Sequence, residues 1–192
     1  FTDIVGYSTI VNKNQKHALE LLAVHDKMIE TIISQNKGKV IKKIGDSIFA
    51  EFPSPLASVN TAQQIQTQLM KRNSICNLQD QIQIRIGLHV GQVIRKDDDL
   101  FGHDVNLCSR IESIASKGGI AASSELVHCL IDVLEFSIRE MGYIKLKNII
   151  QPHKIYKIYI NQDDFLAESD KLLQHYLHDN GIEILDMDSY TV

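Results

Sequence analysis

The 192-residue chain has no tryptophan, only three prolines and only three cysteines, and aromatic residues make up 6% of it. Cys76, Cys108 and Cys129 are an odd number with no CxxC spacing. That argues against a disulfide framework or a zinc knuckle and fits a reducing compartment. There is no excess of positive charge: 20 Lys and Arg stand against 24 Asp and Glu, a net charge of −4. Nucleic-acid binders usually carry a basic surplus, so no nucleic-acid partner is expected. No apolar run approaches the ~20 residues that cross a bilayer, and no signal peptide is visible. The expectation is a cytoplasmic domain without membrane contact of its own. The chain opens on Phe1 and directly on a motif, which reads as a fragment of something longer. Its hydrophobic content of 44% is that of an ordinary globular protein. Its length suits one domain with a real core.

What is present is a regular alternation of periodicities. Residues 1–5 read as the end of a strand, followed by a loop at Gly6-Tyr7-Ser8. From Gln15 to Gln35, Leu19, Leu22, Met28, Ile29, Ile32 and Ile33 recur at helical steps, and Gly38 lies near a C-terminal cap. Lys39–Ile44 and Ser47–Phe52 flank Gly45-Asp46 and predict a hairpin. A second helix is predicted over Leu56–Arg72. One long strand is predicted over Gln81–Ile94, with Lys96–Asp99 as a charged connector. A third helix is predicted over His103–Ser116. A short strand, a short helix from Ser123 and strands near Phe136–Tyr143 and Lys154–Tyr159 follow. The fold class is α+β: a ferredoxin-like β-α-β-β-α-β core with additional αβαβ elements, helices packing around a mainly antiparallel sheet. Residues 1–160 form the domain. Residues 161–192 are expected to be an extension, a linker or the start of another region, with a helix over Phe165–Leu177 and a strand over Ile182–Leu185.

Five segments carry chemistry: FTDIVGYS (1–8), KKIGDSIFAEF (42–52), RIGLHVGQV (85–93), DLFGHDVNLCSRIESIASKGGI (99–120) and YIKLKNIIQPHKIY (143–156). In this order the series resembles the catalytic domain of class III adenylate and guanylate cyclases, over roughly residues 1–160. The resemblance implies a homodimer that cyclises ATP to cyclic AMP, with two divalent cations (Mg²⁺ or Mn²⁺) at each site between the subunits.

Asp3 and Asp46 match the family's two metal-binding aspartates, with the backbone of Ile4 beside them. Two such carboxylates suit a pair of hard cations ~3.5–4 Å apart. Their strands are expected to lie side by side, β1 next to the first strand of the hairpin. Asp46 is also a favoured turn residue in its own right. Gly6, Tyr7 and Ser8 match the phosphate-facing turn. Lys42 and Asp99 match the purine-selecting pair: lysine only donates and suits adenine N1, while an aspartate only accepts and suits the N6 amino group. Lys43, Asp97 and Asp98 read as solvated charges. Asn106 and Arg110, four apart on one helical face, match the ribose-contacting asparagine and the arginine that meets the α-phosphate. Lys147 matches the lysine for the terminal phosphates. Asn148 stands where the family has glycine, and Lys145 competes for the role. His89, within Gly87–Gly91, reads as a structural strand histidine.

Three rivals stand beside the adenylate reading. Guanylate cyclase is disfavoured by Lys42 and Asp99. A non-catalytic cyclase-like module is disfavoured because no site residue is missing. An RNA-recognition module needs strand aromatics and a basic face that the chain lacks.

Overall fold

A computed structural model describes residues 1–130 and 136–186. Strand β1 (Thr2–Ile4) is followed by α1 (Tyr7–Lys13) and α2 (Gln15–Gln35), then the hairpin β2 (Lys39–Ile44) and β3 (Ser47–Glu51). Next come α3 (Pro55–Asn73), β4 (Ile84–Leu88), a small hairpin of β5 (Ile94–Lys96) and β6 (Asp99–Phe101), and α4 (His103–Ile114). The chain continues through β7 (Ile120–Ser123), α5 (Ser124–His128), β8 (Ile138–Ile144), β9 (His153–Ile158), α6 (Gln162–Ala167), α7 (Asp170–Asp179) and β10 (Ile184–Leu185). The large sheet runs β10-β8-β9-β7-β4-β1-β3-β2, and only the β4–β7 pair is parallel. Its β4-β1-β3-β2 half is the order a ferredoxin-like βαββαβ unit requires, so the expected fold class is observed.

The period-two alternation of the strands sorts two cores onto opposite faces. Ile84, Ile86 and Leu88 of β4 and Ile120 and Ala122 of β7 join Ile29, Ile33, Ile65 and Leu69 of α2 and α3. Ala121 of β7 and Ile155 of β9 face the other way, into a cluster with Leu107 and Ile111 of α4 and Leu173 and Leu177 of α7. Each fully buried Leu or Ile stabilises the fold by about 1.5–3 kcal/mol. On the second face Gly87 decides the geometry: a Cβ there would lie 2.3 Å from the Glu112 amide nitrogen. Helix α4 therefore rests directly on the β4 backbone at Glu112.

Five sequence expectations need correction. Gly6-Tyr7-Ser8 is not a loop: Gly6 takes a left-handed turn (φ 73°) and Tyr7 and Ser8 open helix α1. The strand expected over 81–94 stops at Leu88, and Ile94 belongs to a separate hairpin. The Lys96–Asp99 connector is that hairpin's turn, with Asp97 in the left-handed region (φ 55°). Strand β1 lies beside β3, the second strand of the first hairpin, and not beside β2. The helix expected over 165–177 is two helices, with Ser169 capping the second. The 161–185 stretch packs on the domain: α7 buries Leu173 and Leu177, and β10 adds an edge strand to β8.

Candidate active site

Asp3 projects from β1 on the face opposite Ile4, which is buried in the first core. Its register partner on β4 is Arg85. Both Asp3 oxygens are held: Ser47 Oγ donates to Oδ1 at 2.8 Å and Arg85 Nη2 donates to Oδ2 at 3.1 Å. Asp46, on the β2–β3 turn, accepts the Ile4 amide on Oδ2 at 3.0 Å. The hairpin thus folds Asp46 back onto the end of β1, even though the two strands are not those expected to pair. Burial, and after it the adjacent Asp3 carboxylate, push the Asp46 carboxyl above the usual carboxylate range. Two adjacent carboxylates, Asp46 carrying a raised proton affinity, are a donor set that a hard divalent cation relieves. Asp3, Asp46 and the Ile4 backbone therefore fit a magnesium-type site, with Gly6, Tyr7 and Ser8 following immediately on the turn into α1.

Lys42 and Lys43, neighbours on β2, go separate ways. Lys43 bridges Asp26 at 2.9 Å and Glu30 at 2.8 Å on α2. Lys42 Nζ donates to Asp99 Oδ2 at 2.6 Å and lies 5.3 Å from the centre of the Phe101 ring. The Lys42 ammonium, helped by the Leu100 amide, holds the Asp99 carboxyl below its ordinary range. The two residues expected to read a base are thus brought together, one from each hairpin, while Asp98 only reaches Lys39 at 3.5 Å on the surface.

Helix α4 turns Leu107 and Ile111 inward, which leaves Asn106 exposed and Arg110 half-buried. Neither side chain hydrogen-bonds or ion-pairs with another of the described residues; only their carbonyls accept, from Ser109 and Ser113. Lys147 is exposed on a turn closed by the Ile149 amide to the Leu146 carbonyl, and Asn148 takes the left-handed conformation there (φ 62°). Lys145 instead lies 3.6 Å from Glu183. His89 is nearly buried, with Nδ1 2.7 Å from Ser123 Oγ, in keeping with a structural role.

Sequence reasoning did not single out Arg85, Glu112 or Ser47. Arg85 Nε lies 3.3 Å from Glu112 Oε1 and its Nη1 donates to the Ser113 carbonyl at 3.2 Å. Burial, and next the nearby Asp3, push the Glu112 carboxyl up to about 7 despite Arg85. A raised carboxyl pKa means that the folded state holds the proton more tightly. The stabilisation is complete below the unfolded value and is lost as pH rises through about 7. The stability of wild type minus that of Glu112→Gln is expected to fall between about pH 5 and pH 8, by up to about 3 kcal/mol. Denaturant melts of both proteins across that range check it. The subtraction is needed because buried His25 and His89, with lowered values, titrate in the opposite sense.

Residues 1–169 match the family model for the adenylate and guanylate cyclase catalytic domain. A putative adenylate cyclase 3 from Rhizobium meliloti is 33% identical over 159 residues, which cover 80% of this chain and 26% of that protein. The chain thus spans about a quarter of that relative's length. Among solved structures, an adenylate/guanylate cyclase/hydrolase from Silicibacter pomeroyi superposes with a TM-score of 0.75 at 28% identity, covering 82% of this chain and 92% of that one. An adenylate cyclase from Trypanosoma brucei, solved in a monomeric state, shares the fold with a TM-score of 0.71 at 21% identity, over 82% and 85% of the two chains. With the motifs in order, the paired aspartates at one strand end and the lysine–aspartate pair closed, the chain belongs to the adenylate and guanylate cyclase catalytic domain family.

Proposed function

We propose that the domain is an adenylate cyclase that converts ATP to 3′,5′-cyclic AMP and pyrophosphate in a homodimer. The observation that carries the choice of ATP is the Lys42–Asp99 pair, one donor and one acceptor 2.6 Å apart. Adenine presents an acceptor at N1 and a donor at N6, and can insert between the two side chains by replacing their mutual contact. Guanine presents the reverse pattern and leaves both unsatisfied.

Asp3, Asp46 and the Ile4 backbone would hold two divalent cations (Mg²⁺ or Mn²⁺). When bound, these supply charge for the triphosphate and acidify the ribose 3′-hydroxyl. Gly6, Tyr7 and Ser8 would offer the phosphates the backbone of the turn into α1, with no side chain at Gly6 to obstruct the approach, and Lys147 adds an exposed cation for the terminal phosphates. Asn106 orients the ribose. Arg110 meets the α-phosphate, where its planar fork matches the charge that develops as the 3′-oxygen attacks and pyrophosphate leaves in line. Among the described residues the side chains of Asn106 and Arg110 have no hydrogen-bond or ion-pair partner, as expected of side chains offered to a second subunit. A twofold head-to-tail pair would build two equivalent sites, each with the aspartates of one subunit and the base pair and α4 residues of the other.

The test is turnover of ATP and GTP, each with Mg²⁺ and with Mn²⁺, with the product identified. Wild type is expected to prefer ATP. Lys42→Glu with Asp99→Cys is expected to shift the ratio of kcat/KM toward GTP by at least about a hundredfold. Sites built on such polar pairs discriminate by up to ~10⁴–10⁵, and the shared triphosphate contacts reduce that. An unchanged ratio would remove the main support for ATP.

A further inference from the structure

The stretch after β9 is anchored at three successive points. At its start, Glu168 takes Lys157 Nζ on both oxygens at 2.9 Å and also accepts the Tyr159 hydroxyl. Beside it Arg139 pairs with Asp170, donates to the Phe165 carbonyl at 3.1 Å and lies 4.5 Å from the centre of the Phe165 ring. In the middle, α7 buries Leu173 and Leu177. Gly181 then turns the chain in the left-handed region (φ 65°), and the Ile182 amide returns to the Leu177 carbonyl at 2.9 Å. At the end, β10 lies along β8, with Ile184 opposite Ile144 and Leu185 opposite Tyr143, and the Glu183 carbonyl accepts the Lys145 amide at 3.1 Å. Two of these anchors reach toward the site. Leu173 and Leu177 share one core with Leu107 and Ile111, which seat α4, and with Leu146 and Ile149, which flank Lys147. Among the described residues α4 and α7 are the only helices in that core. Strand β10 pairs with the strand that leads into the Lys147 turn. Helix α7 and strand β10 also lie past the residues 1–169 that match the family model.

We propose that residues 170–185 are a positioning element of the active site: α7 holds Arg110 through the core beneath α4, and β10 holds Lys147 through β8, with Leu177 and Ile184 as the positioning residues. This rests on the reading of Arg110 and Lys147 as phosphate contacts. Arg110 precedes Ile111 and Lys147 follows Leu146, so a shift of either apolar neighbour carries a cation with it. A group aimed at charge that develops during the reaction tolerates little displacement, and a misplacement of about 1 Å costs up to about 100-fold in rate. The base-reading pair is insulated from the segment. Lys42 lies on β2, the edge of the large sheet opposite β10, and Asp99 lies on the separate small hairpin.

Steady-state turnover of ATP and of GTP by the whole chain, measured well below the melting midpoint of each variant, tests the proposal. Leu177→Ala is expected to lower kcat about 10–100-fold while the ATP-to-GTP ratio of kcat/KM stays within about twofold of wild type. Leu177→Met conserves volume and is expected to restore most of the loss. In the Arg110→Ala background Leu177→Ala is expected to cost less than about threefold more, because a residue that acts through another is not additive with it. Ile184→Asp loosens the exposed edge strand without opening the core, and it carries the test should Leu177→Ala not fold. It is expected to raise KM for ATP about tenfold, roughly the worth of one hydrogen bond to a charged group, and to add little to Lys147→Ala. Unchanged or higher kcat in a folded Leu177→Ala overturns the proposal. So do its full loss repeated on Arg110→Ala, a changed nucleotide ratio, a Leu177→Met no better than Leu177→Ala, or an unchanged KM in Ile184→Asp. In each of these cases the reading of the site stands, provided that Arg110→Ala and Lys147→Ala are themselves impaired. Wild-type activity in Arg110→Ala or in Lys147→Ala overturns that reading and the proposal together.

Discussion

Asp46→Asn is expected to lower cyclic nucleotide production at least about a thousandfold while the protein stays folded. The size follows from what the carboxylate does for a cation pair. Metal-borne charge stabilisation amounts to several kcal/mol, and each 1.36 kcal/mol is a factor of ten in rate. The fold is expected to survive for local reasons. The amide oxygen of asparagine still accepts the Ile4 N–H that Asp46 now accepts at 3.0 Å. The substitution also removes the repulsion from Asp3 that raises the Asp46 carboxyl. The metal-free variant should therefore melt at or above the wild-type temperature. Asp46→Ala is the harsher form: it leaves the Ile4 amide unpaired at a cost of about 1–3 kcal/mol. Asp3→Asn is expected to lose as much activity, but to gain no stability, because Asp3 is already paired with Arg85 and Ser47. Initial rates at saturating metal, beside circular dichroism melts, separate these outcomes. Near-normal activity in either asparagine variant would refute the two-metal reading.

What the sequence made legible was whatever depends on local periodicity or on a turn. Helix α2 has the expected bounds, Gln15–Gln35, because its apolar residues recur at helical steps and Asn14 caps it. The Gly45-Asp46 hairpin formed as expected, and with it the approach of Asp46 to β1. What stayed hidden depends on which strands become neighbours or on conformations that propensity disfavours. Helix α1 is seven residues long, contains Thr9, Ile10 and Val11, and buries none of its residues fully. It presents no amphipathic signal, and it forms because the left-handed Gly6 turns the chain onto α2. The alternation that runs on past Leu88 imitates a long strand, but β4 ends there and the next residues lead to a hairpin of two three-residue strands. Their turn reads as a charge run because aspartate is one of the few residues that tolerates a left-handed φ. Arg85 alternates with Ile84 and Ile86 like any solvent-facing strand residue. Only the β4–β1 register puts it opposite Asp3, and only the helix seated on Gly87 brings Glu112 to it. The choice of Lys42 over Lys43 was legible from the distance to Gly45-Asp46. The structure parts the two, Lys42 to Asp99 and Lys43, read as a solvated charge, to Asp26 and Glu30 of α2.

Arg110→Ala is expected to lower kcat by ~10²–10³ with little change in KM. Charge on the α-phosphate oxygens develops chiefly in the transition state, and donors aimed at such charge are worth that much. The fold should be unaffected, since the guanidinium has no side-chain partner among the described residues and Leu107 and Ile111 hold the helix. A change confined to KM would assign Arg110 to ground-state binding. The same variant also tests whether sites are shared between subunits. Mixed with Asp3→Asn under conditions of subunit exchange, half of the dimers become mixed. In each of these, one site carries both lesions and the other carries neither, provided that Asp3 and Arg110 of one site come from different chains. Activity should then rise from near zero to about a quarter of the wild-type value, because half of the dimers each hold one intact site out of two. If both residues served a site within one chain, every site would carry one lesion and mixing would restore nothing. Labelled subunits that show exchange by fluorescence transfer, without any return of activity, would place each complete site within a single chain.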